Sequence, residues 1–545
     1  MDTIGTPGSR SSTATSSSSS SEQLFINPCD GLTVPSTPVS AITTPGEYTP
    51  GASTPSLFGE HDTVPPSHEH RSVVLCFDGT GDQFDTDNSN IVEFFSLLKK
   101  DNRNEQIVYY QAGIGTYTTP QIATPFFSNI SKTMDMMIAW NLHAHLMDGY
   151  EFLMQNYQHG DKISIFGFSR GAYTARALAG MIHKVGLLPA CNHQQVPFAY
   201  KMYTETDEQG WKQSTAFKKA FSVDVEIEFL GVWDTVCSVG LIPRTLPFTT
   251  SNTAVRYFRH ALALDEHRAK FKHNAWNVPS PEEQQLGTQP GDMPKSTHRK
   301  KHRHHHSSSH HKSKEKDKEA KLHTKELEKR YSHHSLETDV LEVWFAGAHC
   351  DVGGGSVLNG TRHSLARIPL RWMIRQCFLC NTGIMFHADQ LYSVGLDPTS
   401  LYPTIKERSP PITTIERPFA VKDYPKMMEK PFVNMGVIGF GIKLTVNEEE
   451  EDLYDALSPI YDQLAMNKGW WILELLPMKQ RFQHDDHSWA AQFSVNMGKP
   501  RIIRKQHRQG LRVHRSVKIR MEAEGLEGGS YVPGPEFHVD PIWVD

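Results

Sequence analysis

Residues 163–180 read ISIFGFSRGAYTARALAG, in which an apolar run leads directly into Gly-Phe-Ser-Arg-Gly and then into a helical pattern. The apolar run predicts a buried β-strand, and the sequence after Ser169 predicts an α-helix. A serine between Gly167 and Gly171 at such a junction is typical of a nucleophile elbow, where the chain turns so sharply that flanking side chains would collide with nearby backbone. The alternative is a serine that caps the helix after a glycine turn.

Strand and helix patterns alternate along the rest of the chain. Runs rich in β-branched and aromatic residues predict strands at SVVLCF (72–77), QIVYYQ (106–111), KISIFG (162–167), VEIEFLGVW (225–233) and LEVWFAG (341–347). Helical patterns lie between them, the longest at 131–157, and RYFRHALALDEHR (256–268) also predicts a helix. This alternation predicts an α/β protein with a mostly parallel sheet and helices on both of its faces.

Two segments carry too little apolar surface to fold. Residues 1–70 are dominated by Ser, Thr, Pro and Gly and predict a disordered tail. Residues 279–338, rich in His and Lys, predict a disordered, solvated insertion loop, with metal capture and binding of anionic polymers or lipid surfaces as alternatives. The folded domain then comprises residues 71–278 and 339–545. Its part after about Asn381, with VNMGVIGFGIKL and GWWILELLP, is interpreted as a lid or lipid-facing surface, or as core.

The composition limits the classes of function. The chain has 545 residues, 38% of them hydrophobic, and a net charge of only -5, so no specific nucleic-acid binding is expected. Its seven cysteines are scattered, and Cys377 and Cys380 lie in an apolar helical pattern that favours packing over metal or redox use. No run approaches the roughly 18 apolar residues of a membrane span, and no secretory signal is recognised, so a cytoplasmic location is expected.

A serine hydroxyl becomes a good nucleophile only when a base accepts its proton and a carboxylate orients that base. Asp234 follows the strand that ends in GVW, and His349 follows the strand in LEVWFAGAH, so both lie at carboxyl ends of strands. Asp351 is the reserve carboxylate. The alternatives are a loop histidine and a helix-capping aspartate. Of the 29 histidines, His260 and His267 fall in a predicted helix, where capping or packing is the usual role.

The sequence CFDGTGDQFDTDNSN (76–90) begins at the end of the first predicted strand. Gly79 and Thr80 are predicted to complete an oxyanion hole with the backbone amide of Arg170, and Asp78 to lie near the site. A plain turn is the alternative. The aspartates that follow lack the glycine and glutamate spacing of an EF-hand, so that kind of calcium site is excluded.

Several ordered blocks carry a resemblance to a known family. They are VVLCFDGTGDQF, QAGIGTY, GDKISIFGFSRGAYTAR, GVWDTV, RHALALDEHR, WFAGAHCDVGGG, VHRSVKIR and YVPG. Together they resemble the α/β-hydrolase domain of the type VI secretion phospholipase effectors and related uncharacterised fungal and bacterial proteins, over about residues 71–279 and 338–535. The resemblance implies a catalytic triad of Ser169, Asp234 and His349, and hydrolysis of carboxylic esters, in bacterial members those of phospholipids. The tail and the insertion depart from the family, and the composition is similar to that of a fungal relative.

The hypothesis from the sequence is therefore a serine esterase or lipase that works through an acyl-enzyme and needs no metal or cofactor. Its expected partners are a small-molecule or lipid ester substrate and a membrane surface contacted peripherally. Two alternatives belong to other classes of protein. One is a non-catalytic interaction protein on a hydrolase scaffold, and the other is a peripheral lipid-binding protein that uses the basic insertion.

Overall fold

The computed structural model describes residues 62–80, 82–113, 127–236, 246–249, 255–277, 338–417, 447–484, 489–526 and 529–545. These residues belong to the compact unit Ser56–Asp545. The predicted tail up to residue 61 and the predicted insertion up to residue 337 lie outside the described residues, as does VNMGVIGFGIKL.

Twelve strands occur in the described part of the chain. They are β1 Thr63–Val64, β2 Ser72–Phe77, β3 Gln106–Gln111, β4 Lys162–Phe168, β5 Ile227–Trp233, β6 Val255–Ala263, β7 Asp339–Phe345, β8 Phe386–His387, β9 Met478–Gln483, β10 Trp489–Ser494, β11 Arg512–His514 and β12 Ile542–Val544. Eight of them form one parallel sheet in the order β3-β2-β4-β5-β6-β7-β11-β12. The predicted mostly parallel sheet is confirmed. Two small antiparallel pairs, β1 with β8 and β9 with β10, lie outside this sheet.

Helices cover both faces of this sheet. Their bounds are α1 Asn90–Leu97, α2 Phe127–Asn156, α3 Ser169–Val185, α4 Val196–Thr204, α5 Glu208–Phe221, α6 His349–Gly353, α7 Arg367–Leu379, α8 Ala388–Ser393, α9 Glu448–Ala456, α10 Gln463–Met466, α11 Trp471–Glu474, α12 Gln506–Gln509 and α13 Arg515–Glu522. No helix within these described ranges is long and apolar enough to cross a bilayer.

Strand β2 shows how its sequence serves both faces. Val73, Leu75 and Phe77 pack in a core cluster with α2 and α3 on one side of the sheet. Val74 and Cys76 point to the opposite cluster, which contains α1 and α7. Because both faces are covered, a buried parallel strand is a continuous apolar run rather than an alternating one.

The structure differs from the sequence-based prediction at 256–268. RYFRHALALDEHR does not form a helix, because residues 255–263 are strand β6, paired in parallel with β5 and β7. The strand lies inside the sheet and is buried along most of its length, so its apolar run lacks the period of two that marks a half-exposed strand. His260 therefore lies on a strand and not on a helix.

Two boundaries are refined by the structure. The sequence predicts a tail that extends to residue 70, yet Thr63 and Val64 pair with His387 and Phe386. The region after residue 381 is not only an accessory to the sheet, since its strands β11 and β12 extend the sheet beyond β7. Just before this region, Cys377 and Cys380 are buried and unbridged at the end of α7, as their apolar pattern predicted.

Candidate active site

Ser169 occupies the turn between β4 and α3. Its φ is +58°, a left-handed conformation that is strained for a residue with a side chain. A Cβ on Gly167 would lie 2.5 Å from the carbonyl oxygen of Gly171, and a Cβ on Gly171 would lie 2.3 Å from the carbonyl oxygens of Phe77 and Asp78. Both glycines are therefore required by close backbone contacts, as the elbow interpretation predicts.

The sheet topology places this turn beside a switch point of the sheet. Strand β2 pairs with β3 on one side and with β4 on the other, so the direction of the strand order changes beside the elbow. Ligands of open parallel sheets bind at such switch points, at the carboxyl ends of the strands. The ends of β4, β5 and β7 carry Ser169, Asp234 and His349 to this edge.

The structure brings these three residues into one hydrogen-bonded chain. His349 Nε2 lies 2.7 Å from Ser169 Oγ, and His349 Nδ1 lies 2.6 Å from Asp234 Oδ2. All three are buried, Asp234 completely. Since Nδ1 faces a carboxylate, it carries the proton in the neutral ring, and Nε2 accepts the serine hydroxyl proton. This is the arrangement in which an imidazole can act as a general base on a serine.

A fourth residue, Arg501, completes the surroundings of Asp234. Its Nη1 and Nη2 donate to Asp234 Oδ1 and Oδ2 at 2.6 and 2.8 Å. The amide of Ala263 also donates to Oδ1, at 3.0 Å. The backbone of Asp234 has an uncommon φ of +38°. These bonds hold its carboxylate in place.

Burial and charge act in opposite directions on the site. Burial alone would raise the pKa of Asp234, but the Arg501 guanidinium and the hydrogen bond with His349 outweigh it and hold that pKa well below its usual range. Burial lowers the pKa of His349 from its ordinary value, and the hydrogen bond and charge of Asp234 counter this only in part. The imidazole is therefore neutral, and able to accept a proton, at neutral pH.

Aromatic and charged side chains enclose His349. The rings of Phe168 and Phe271 have their centroids 4.7 and 4.8 Å from the imidazole. The backbone amide of His349 donates to Glu266, whose carboxylate is paired with Arg268. Arg268 in turn stacks on Phe271, with Cζ 3.6 Å from the ring centroid. These contacts hold the imidazole in place and exclude water from its sides.

The loop after β2 is fixed by the carboxylate of Asp78. It accepts hydrogen bonds from the Gly79 amide at 2.8 Å, the Ser89 hydroxyl at 2.6 Å and the Tyr110 hydroxyl at 2.8 Å. Burial raises the pKa of Asp78, and the three hydrogen bonds oppose that shift. The Gly79 amide is thus occupied by Asp78. Within the described residues the buried hydroxyl of Thr80 has no hydrogen-bond partner.

The reserve carboxylate, Asp351, does not reach the imidazole nitrogens. Its Oδ2 accepts from the amides of Ala348 and Tyr461, both at 2.9 Å, so it fixes the start of α6. Burial raises the pKa of Asp351 to about 6. His260, the rival histidine on β6, accepts from the Thr235 amide and bonds Glu342, so both its nitrogens are used.

One cluster in the described part of the chain has the composition of a metal site. His363, Glu451 and Asp455 are buried with their ligand atoms within 4.8 Å of one another. Their carboxylates, however, are already paired with arginines, Arg367 to both of them. A cation would have to displace these guanidinium groups, so the cluster is a structural ion-pair network.

Arg501, Glu266 and Arg268 are residues of the site that sequence reasoning missed. Glu266 and Arg268 fall in RHALALDEHR, one of the blocks that resemble the family. That resemblance was the one sequence signal that could have indicated them. Arg501 contacts Asp234 across 267 residues of chain, and no local pattern indicates it.

The parallel sheet has helices on both faces, and Ser169, His349 and Asp234 are joined at its carboxyl edge. This is an α/β-hydrolase-like fold. Residues 71–376 match the family model of the type VI secretion system phospholipase effector Tle1-like catalytic domain. The chain belongs to this family.

Individual proteins and solved structures are similar to this chain at 16–27% identity. An uncharacterized protein of Saccharomyces cerevisiae is 27% identical over 550 residues, covering 82% of this chain and 79% of that protein. A solved structure of an uncharacterized protein from Pseudomonas aeruginosa is 16% identical, with a TM-score of 0.32, over 75% of this chain and 60% of that one. The Tle1 effector, solved bound to the VgrG spike, is 16% identical, with a TM-score of 0.25, over 53% of this chain and 52% of that one. The chain thus spans little more than half of these solved chains.

Proposed function

We propose that this chain is a serine hydrolase that cleaves carboxylic esters, with lipid esters as its substrates. The observation that carries the proposal is the unbroken hydrogen-bonded chain from Ser169 Oγ through both nitrogens of His349 to Asp234 Oδ2, with lengths of 2.7 and 2.6 Å. Its support from the comparisons is the family, which is named for phospholipase effectors.

The reaction follows from the geometry in two halves. Ser169 Oγ attacks the ester carbonyl carbon while its proton passes to His349 Nε2. The imidazolium then returns this proton to the alcohol oxygen as the carbon–oxygen bond breaks, which leaves the acyl group on Ser169. Water attacks the acyl-enzyme and gives its proton to His349 Nε2, and Ser169 recovers the proton as the acid leaves. Asp234 keeps the proton of Nδ1 in place throughout.

The negative charge that develops on the carbonyl oxygen during attack needs hydrogen-bond donors at the elbow and in the loop beside it. The Arg170 amide lies at the start of α3, whose first amides carry no partner within the helix. Thr80 supplies the second donor, since the Gly79 amide is held by Asp78 and the Thr80 hydroxyl is buried and has no partner in the described structure. Gly79 then has a steric role, since it leaves room for the Asp82 carboxylate: a Cβ on Gly79 would lie 2.0 Å from Asp82 Oδ2.

Lipid esters are favoured by the surface beside the site. Trp471, Ile472 and Leu475 are 41%, 70% and 58% exposed. The segment that carries them contacts the site, because the neighbouring Trp470 ring packs edge-on against Phe271 with centroids 5.6 Å apart. Apolar side chains exposed together in this way mark a surface that contacts apolar partners or lipid.

The experiment is a substrate profile of the full-length chain. Hydrolysis of short chromogenic esters, triglyceride emulsions and phospholipid vesicles is measured for the wild type, Ser169→Ala and Ser164→Ala. Ser164 is a buried serine in β4, the strand that leads to the elbow, and its hydroxyl has no partner in the described part of the structure, so it is a matched control. We expect ester hydrolysis that is lost in Ser169→Ala and kept in Ser164→Ala. Lipid or ester binding without hydrolysis by the wild type would support a non-catalytic protein instead.

A further inference from the structure

Arg501 is one of the largest side chains that are fully buried, and it lies outside the residues that match the catalytic-domain family. It comes from the C-terminal region and contacts the site through Asp234. Besides its two bonds to Asp234, its Nη1 donates to the carbonyl of Ala263 at 2.9 Å and its Nη2 to that of Phe271 at 2.5 Å. Four hydrogen bonds thus fix the guanidinium between β6 and the loop of Phe271.

The two oxygens of Asp234 are each shared by two donors. Oδ1 accepts from the Ala263 amide and Arg501 Nη1, and Oδ2 accepts from His349 Nδ1 and Arg501 Nη2. Burial removes a carboxylate from water, which is costly unless hydrogen-bond donors and an opposite charge replace the lost interactions. These donors do so for Asp234. The planar fork of arginine satisfies both oxygens at once, which a lysine ammonium cannot do in the same geometry.

This pairing changes the charge that His349 experiences. In a triad with an isolated carboxylate, the negative charge stabilises the imidazolium that forms during reaction. Here the guanidinium offsets that charge, so the Asp234–Arg501 pair presents a dipole rather than a full negative charge to the imidazole. The neutral ring is favoured relative to the imidazolium.

We propose that Arg501 is a positioning residue of the active site, which holds Asp234 ionised and aimed at His349 and keeps the imidazole neutral until Ser169 delivers its proton. This inference rests on the proposed function, since it assigns a role within the same reaction. It also makes the C-terminal region, beyond the family match, a necessary part of the site.

Other ionisable groups surround the pair and are accounted for. Glu266 and Arg268 form an ion pair beside His349 and largely cancel each other. Burial lowers the pKa of His260, and burial with the charge of Arg501 lowers that of His273 to about 3, so both rings are neutral. Burial and Arg501 lower the pKa of Lys272 to about 8.

The test uses the full chain and a fluorophosphonate ester, whose reaction with the serine needs no knowledge of the natural substrate. The second-order rate of inactivation is measured from pH 4 to pH 9 for the wild type, Arg501→Gln and Arg501→Lys. In Arg501→Gln the charge of Asp234 is no longer offset, so we expect the apparent pKa of the rate to rise by about one unit. We expect the rate above that pKa to fall about tenfold to a hundredfold, because the carboxylate loses its orientation. Arg501→Lys keeps the charge, so its rate should fall while its apparent pKa stays near that of the wild type.

Arg375→Gln is the matched control. Arg375 makes a similar buried pair with Glu448, with Nε and Nη2 donating at 2.9 and 2.5 Å, but does not touch the site. Its loss should lower the melting temperature without moving the pKa of the rate. Equal apparent pKa values in wild type, Arg501→Gln and Arg501→Lys would overturn the inference. If the wild type does not react at all, the proposed function fails, and this outcome is distinct from an unchanged pKa in a reactive enzyme.

Discussion

The carboxylate of Glu474 accepts a hydrogen bond from the backbone amide of Ala269 at 2.5 Å, across 205 residues of chain. Glu474 closes the short helix α11, which carries Trp471 and Ile472, whereas Ala269 lies between the two residues Arg268 and Phe271 that enclose His349. The same carboxylate accepts from Asn496 and from the Gly498 amide. The exposed apolar segment is therefore attached rigidly to the wall of the site.

This attachment predicts a difference between two kinds of substrate. Replacing Ile472 and Leu475 by glutamate adds charge to a surface that we expect to contact lipid, so hydrolysis of phospholipid vesicles should fall about tenfold or more. Hydrolysis of a short soluble ester should not change, because neither residue contacts the triad. Both rates are measured on the same preparations.

Phe221→Glu provides the matched control. Phe221 is 54% exposed at the end of α5, in a different part of the fold. It should leave both rates unchanged. Equal loss on the soluble ester and on vesicles in the Ile472→Glu/Leu475→Glu variant would show that the substitutions damage the site rather than its approach to lipid.

The pH dependence of the wild type follows from the buried imidazole. Burial lowers the pKa of His349 below about 6.5, its ordinary value, so the base stays neutral at lower pH than a free histidine. The rate should therefore rise with pH along a limb whose midpoint lies below 6.5 and be level at neutral pH. Initial rates of a soluble ester from pH 4 to pH 8 measure this limb.

Asp351 needs a control in that experiment, since burial raises its pKa to about 6, within the same range. Asp351→Asn keeps an oxygen that can accept from the Ala348 and Tyr461 amides. The acid limb should remain in this variant. Its disappearance would assign the limb to Asp351, and a midpoint above 7 in the wild type would contradict the stated environment of His349.

The elbow predicts a strong effect from a single methyl group. In Gly171→Ala the new Cβ would meet the carbonyl oxygens of Phe77 and Asp78 at 2.3 Å, so β2 and α3 must separate. We expect loss of activity and a loss of several kcal/mol in the free energy of unfolding, at the upper end of ordinary single substitutions. Gly534→Ala, where the nearest atom lies 3.4 Å away, should change both little. Circular dichroism melting with ester assays decides between these outcomes.

Local sequence patterns predicted the elements that position the site. Strands β2 and β3 match their predicted bounds at 72–77 and 106–111, because buried parallel strands are short apolar runs that differ clearly from the polar loops beside them. The placement of Asp234 and His349 at strand ends followed from the same patterns. The elbow was visible because glycines are required there by sterics within a few residues.

Long-range contacts were beyond that reasoning. Strand β6 carries Arg259 and His260 within a buried run, and no period in its sequence separates it from a helix. Strand β11 has three residues, too few for a periodic signal, yet it extends the sheet beside β7. Arg501 carries no signal at all in its own neighbourhood, since its role arises only from contact with Asp234.

The central claim is that Ser169 is the nucleophile that His349 activates. Full-length protein is treated with a fluorophosphonate at neutral pH and digested, and the modified peptide is sequenced by mass spectrometry. The account predicts a single modification on Ser169, formed at a rate that falls at least about a thousandfold in His349→Ala. Modification of another residue, or equal labelling in Ser169→Ala, would contradict it.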